Sequence, residues 1–76
     1  MAEKKEILGE SHGYSLMKVT KVEGNPEVTT VTFELHGKNG LIKSFSNEDE
    51  AVEAFIKAVE ALDPQAAVAV SKKLKR

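Results

Sequence analysis

The chain has 76 residues, 41% of them hydrophobic, and a formal net charge of −1; that is one small domain, whose limited core makes self-association a natural supplement to stability. It has no cysteine, which excludes disulfides, thiolate catalysis and cysteine-based zinc sites and fits the cytosol best. No apolar run approaches the roughly 20 residues of a membrane helix, and residues 1–10 lack the apolar core of a signal peptide, so the expectation is a soluble cytoplasmic protein.

Residues 1–6, MAEKKE, are charged and without periodicity, which predicts a frayed start. Ile7 and Leu8 are long enough only for a short edge strand, and GESHG after them reads as a glycine-bounded loop. YSLMKVTKVE from Tyr14 to Glu23 is rich in β-branched and aromatic residues, but its parity breaks between Leu16 and Met17. A bulge there, or burial on both faces, reconciles the two halves. Gly24, Asn25 and Pro26 form a turn. The clearest strand is EVTTVTFELH, with Thr29, Val31, Phe33 and Leu35 on one face and Val28, Thr30, Thr32, Glu34 and His36 on the other. For the GKNG turn, a three-residue loop pairing Gly37 with Leu41 and Phe33 with Phe45 keeps Leu35, Leu41, Phe33 and Phe45 together, so that loop is the expected one.

Residues 46–63, SNEDEAVEAFIKAVEALD, predict an amphipathic helix around which the sheet is organised. Asn47 is an N-cap with Glu50 at the capping-box position, and Glu48, Asp49 and Glu50 complement the positive end of the helix dipole. Val52, Phe55, Ile56, Val59 and Leu62 form a single apolar stripe, and Glu53 and Lys57 form an i, i+4 pair worth roughly 0.2–0.5 kcal/mol. Asp63-Pro64 ends the run. Residues 66–76 carry two patterns. Ala67, Val70 and Leu74 are helix-spaced behind an Asp63 cap and a first-turn Pro64, while Val68, Val70, Lys72 and Leu74 alternate as a strand. The alternation is taken here as the stronger signal.

Four residue groups invite a functional reading. Ser11 and His12 could pair as nucleophile and base, but adjacent loop residues rarely reach that geometry and no third group is identifiable. His36 stands on the polar face of the best strand without the companions a metal site needs. Glu48, Asp49 and Glu50 could attract a hard cation, yet capping accounts for them fully. The tail holds four of the eleven basic residues, Lys72, Lys73, Lys75 and Arg76, whereas all twelve acidic residues precede it. That cluster could contact nucleic acid or another anion, although no aromatic residue lies near it for base stacking. Glycines and lysine in GKNG lack the length of a phosphate-binding loop.

The order strand, strand, strand, helix over residues 14–62 resembles the second part of a double-stranded-RNA-binding domain, which would imply RNA recognition by shape. It departs from that family where Asn47-Glu48-Asp49-Glu50-Ala51 replaces the basic start of its second helix. TTVTFELHGKNG and AVEAFIKAVEAL are also similar in layout to one repeat of the regulatory domain of 2-isopropylmalate synthases, which would imply dimerisation and amino-acid sensing, though without that domain's glycine-rich loop.

The expectation is therefore an α+β domain over residues 1–76: an antiparallel sheet of three or four strands with one amphipathic helix on one face, followed by a final strand or short helix. Its core is expected at Leu16, Val19, Val31, Phe33, Leu35, Leu41, Phe45, Val52, Phe55, Ile56, Val59 and Leu62. The expected function is non-enzymatic binding of a protein partner, without cofactor or metal. The alternatives are nucleic-acid binding by the basic tail and sensing of a small ligand. A homodimer formed through a sheet edge, or by exchange of the C-terminal segment, is expected as well.

Overall fold

A computed structural model of the chain describes residues 2–74. The elements run β1 (Ala2–Ser11), β2 (Tyr14–Glu23), β3 (Val28–Gly37), β4 (Gly40–Phe45), α1 (Glu48–Glu60) and α2 (Pro64–Leu74). The strands form one antiparallel sheet in the order β1-β2-β3-β4, so the chain is α+β, with four strands and two helices. None of the described helices is long and apolar enough to cross a membrane.

Several expectations are corrected. Residues 2–6 are not frayed: they continue β1 through Ala2↔Val22 and Lys4↔Thr20, because β2 offers a ten-residue edge for them to pair with. The irregularity expected near Leu16 and Met17 lies across from them, between Ile7 and Gly9, where Leu8 is the extra residue. β2 itself pairs with β3 without interruption from Ser15↔His36 to Glu23↔Val28, so its two parities are reconciled by the other expected route, burial on both faces, with Leu16 buried on one and Val19 on the other. In the second hairpin Phe33 pairs with Phe45 as expected, but Gly37 pairs with Gly40, and the extra residue falls at Ile42. Gly40 has φ +111, a conformation that glycine adopts without Cβ strain and that closes the two-residue loop.

The C-terminal segment is a helix and not a strand. Asp63 Oδ1 accepts from the backbone N–H of Gln65 at 3.0 Å and of Ala66 at 3.3 Å, so it caps a helix that Pro64 opens. Ala66, Ala67 and Ala69 add helix propensity. Ala67 is buried against the core and Ala66, Val70 and Leu74 pack around it. Lys75 and Arg76, expected to be frayed, lie outside the described residues.

α1 begins as expected: Asn47 Oδ1 accepts the Glu50 N–H at 3.2 Å. Ala51, Val52, Phe55 and Val59 are buried against Leu16, Phe33 and Leu35 of the sheet. Gly9 admits the Phe55 ring, since a Cβ at that position would sit 3.2 Å from Phe55 Cε2. Phe45 and Ile56 only flank this cluster, while Val31, Leu41 and Leu62 of the expected core are exposed. Val19 is buried, but it takes the opposite parity to Leu16 in an uninterrupted ladder and so belongs to the helix-free face, between Lys5 and Thr32.

Length explains the exposure of Val31. A thirteen-residue helix spans about 20 Å, whereas a ten-residue strand spans about 33 Å. The helices cover the end of the sheet holding Leu16, Phe33 and Leu35. Residues 2–6, 19–23 and 28–32 extend beyond them as a three-stranded arm, in a molecule measuring 46 × 29 × 15 Å.

Candidate functional site

Tight hairpins at residues 11–14 and 37–40, together with the near-aligned register of β2 on β3, bring both turns to the same end of the sheet. The chain leaving α1 passes over that end. Between them lies a cleft of about 420 Å³ lined by His12, Gly13, Tyr14, Gly37, Lys38, Asn39, Gly40, Leu41, Ile42 and Leu62. Leu41 and Ile42 are each 55% exposed and Leu62 is 59% exposed. The bulge at Ile42 causes part of this, because the extra residue shifts Leu41 out of the parity that would have joined it to Leu35. Gly37 lets the two sides meet: a Cβ there would stand 2.9 Å from Ile42 Cδ1 and 3.7 Å from Tyr14 Cε1.

At the rim, His12 joins residues far apart in sequence. Its Nδ1 is 2.8 Å from Ser11 Oγ and its Nε2 is 3.5 Å from Asp63 Oδ2. A hydroxyl, an imidazole and a carboxylate in sequence is the set used to activate a nucleophile. Here, however, the His12 and Asp63 side chains are 38% and 44% exposed, and the other Asp63 oxygen is engaged in capping α2. In water such a chain contributes little polarisation. Its clear structural consequence is to tie the β1–β2 turn to the connection between the helices, which fixes one wall of the cleft. The third group missing from the Ser11-His12 reading is thus Asp63, visible in the sequence only as a helix cap.

The other residues singled out from sequence stand apart from this cleft. His36 Nε2 is 2.9 Å from Glu34 Oε1 on the helix-free face. Glu48, Asp49 and Glu50 occupy the first turn of α1. Among the described residues, no group of three or more histidine or carboxylate side chains comes together to hold a metal. Lys72 and Lys73 are exposed in the last turn of α2, where positive charge complements the helix dipole; Lys75 and Arg76 lie outside the described residues. A second, smaller cleft of about 330 Å³ runs between the helices, lined by Ile56, Glu60, Ala67, Val68, Ser71 and Lys72.

No family model matches the chain, and comparison with curated proteins and with solved structures found no match. The resemblance in layout to a double-stranded-RNA-binding domain weakens on the fold itself. That family opens on a helix, and this chain places β1 there.

Sequence reasoning placed Leu41 and Leu62 in the core and gave Ile42 no role. What could have signalled the cleft is the surplus of large apolar residues around two tight turns: Tyr14, Leu41, Ile42 and Leu62.

Proposed function

We propose that the chain is a non-enzymatic binding module that takes a protein partner at the cleft between its two hairpin turns. The observation that supports this reading is the convergence of Leu41, Ile42 and Leu62, all more than half exposed, on one concavity with a polar rim of His12, Lys38 and Asn39. Apolar surface that a small domain leaves in water, rimmed by polar groups, is the usual character of an interaction site. A cleft of this size suits one or two apolar side chains of a partner segment, with Lys38 and His12 available to its backbone carbonyls or carboxylates.

Tyr14 is the sole tyrosine, and the chain has no tryptophan, so intrinsic tyrosine emission reports on this cleft directly. The test is affinity capture from the native host with the parent chain and with Leu62→Asp, followed by titration of the captured partner into the chain while the Tyr14 signal is read. The expected result is a partner that perturbs Tyr14 and is lost with Leu62→Asp, whose thermal melt stays near the parent's because Leu62 is exposed. A partner retained by Leu62→Asp, or one that leaves Tyr14 unchanged, counts against the cleft.

A further inference from the structure

We propose that the free edge of the β3 arm is a self-pairing edge, through which two copies of the chain form a closed antiparallel dimer centred on Thr30. This interface lies at the opposite end of the sheet from the cleft and does not rest on the reading given to it.

β3 is paired with β2 from Val28 to His36, but β4 covers its other side only from Phe33 to Gly37. Beyond Phe45 the chain leaves the sheet to cap α1 at Asn47. Residues 28–32, VTTVT, therefore present an unpaired edge five residues long. In an antiparallel ladder alternate residues turn their N–H and C=O outward, so two or three of these five offer backbone groups to a further strand. The segment contains no charge, proline or glycine, and so lacks the devices that ordinarily blunt an edge. Val28 is 61% exposed and Val31 is 38% exposed.

Symmetry then selects both the edge and the register. When two copies of one strand pair antiparallel about a two-fold axis normal to the sheet, both keep their faces, so residues set opposite each other must share a face. The axis must then pass through a residue that meets its own copy. A charged residue at that position meets a like charge, which is unfavourable. On the exposed outer stretch of β1, every axis through residues 3–6 sets Glu3, Lys4, Lys5 or Glu6 against itself. The charges along that edge also discourage an added strand. The β4 edge is broken by the bulge at Ile42 and by Gly40. On β3 an axis at Thr30 uses the whole free stretch: Thr30 faces Thr30 of the second copy, Thr29 faces Val31 and Val28 faces Thr32. The turn at residues 24–27 carries the chain away just where the other copy's β4 ends, at Phe45 opposite Phe33, so the pairing fills the gap between the two β4 strands. The two sheets join into one, with the helices of both copies on the same side.

The test is sedimentation equilibrium of the full chain and of Thr30→Lys and Thr30→Glu, alone and mixed. Thr30 is exposed on the helix-free face, so both variants should keep the parent's circular dichroism spectrum, which is checked first. The parent should sediment at twice the 8.3 kDa chain mass, at a concentration of about 100 μM where even a weak dimer is populated. Each variant alone should sediment as a single chain, because it opposes its own charge at the axis. An equimolar mixture should recover the dimer, since Lys then faces Glu. A monomeric parent overturns the proposal. So do variants that remain dimeric alone, which would place the contact elsewhere, and a mixture that stays monomeric, which would move the axis off Thr30.

Discussion

Phe55 holds the two helices and the sheet together, and Phe55→Ala tests that directly. Its side chain is fully buried, it lies in the cluster formed by Leu16, Phe33, Leu35 and Val52, and its ring edge rests on Gly9 beside Leu74 of α2. Truncation removes contacts with β1, the central strands and α2 at once, so collapse around the void is difficult and the loss should be about 3–5 kcal/mol. A domain of this length has about 4–11 kcal/mol in all. The melting temperature should fall by roughly 15–30 °C, taking several degrees per kcal/mol for a chain of this size. Thermal and urea unfolding followed at 222 nm read the change, and a variant melting within a degree or two of the parent would refute the packing described here. Gly9 supplies an internal control. Gly9→Val alone drives a side chain into the Phe55 ring and should destabilise by about 1–3 kcal/mol. In the Phe55→Ala background the same methyl groups enter vacated space, so the double variant should be clearly more stable than the sum of the two losses. Strict additivity would mean that Gly9 and Phe55 are not in contact.

The α2 cap separates two roles of Asp63. Asp63→Ala should cost about 0.5–2 kcal/mol in urea unfolding, while Asp63→Asn, which caps about as well, should cost much less. Equal losses would shift the weight to the contact with His12 instead of the cap. Gly40→Ala should cost about 1–2 kcal/mol from its left-handed backbone alone, because no atom lies within 4 Å of the added Cβ; an unchanged denaturation midpoint would contradict the turn geometry. Hydrogen exchange should divide the sheet, with the amides of Leu16 and Leu35 slowest. Those of residues 2–6, on the arm beyond the helices, should exchange much faster. Uniform protection along β1 would mean that the arm is covered.

The features legible in the sequence are those whose causes are local. Asn47, the three acidic residues after it and the Val52, Phe55, Val59 spacing lie within a few turns of one another and define α1 by themselves. The strand β3 is likewise readable from side-chain alternation, and β2 from its β-branched and aromatic residues. The fate of residues 64–74 turned on a competition that the pattern alone left open. Val70 and Leu74 satisfy either period, and the decision came from Asp63 capping the next turn and from three alanines, both of which favour a helix before any tertiary contact is made.

The bulge at Ile42 was not legible, and it shapes one wall of the candidate site. One extra residue reverses parity for everything beyond it, and nothing in a sequence states which residue the partner strand will skip. The expected three-residue loop and the observed bulge at Ile42 both return Phe45 to its place opposite Phe33, so the core constraint is met either way. They differ only in what happens to Leu41 and Ile42. With the loop, Leu41 would enter the core beside Leu35; with the bulge, Leu41 pairs with His36 and both it and Ile42 reach solvent at the turn. Leu62 followed a parallel course at the other wall. Its spacing continues the buried stripe of α1, but the helix stops at Glu60 because Asp63 and Pro64 start the next one, and the side chain is left over the cleft. Each wall thus includes a residue, Leu41 on one side and Leu62 on the other, that the periodicity assigns to the core and that a local break withholds from it. In this chain the departures from regular structure determine where apolar surface remains available to a partner.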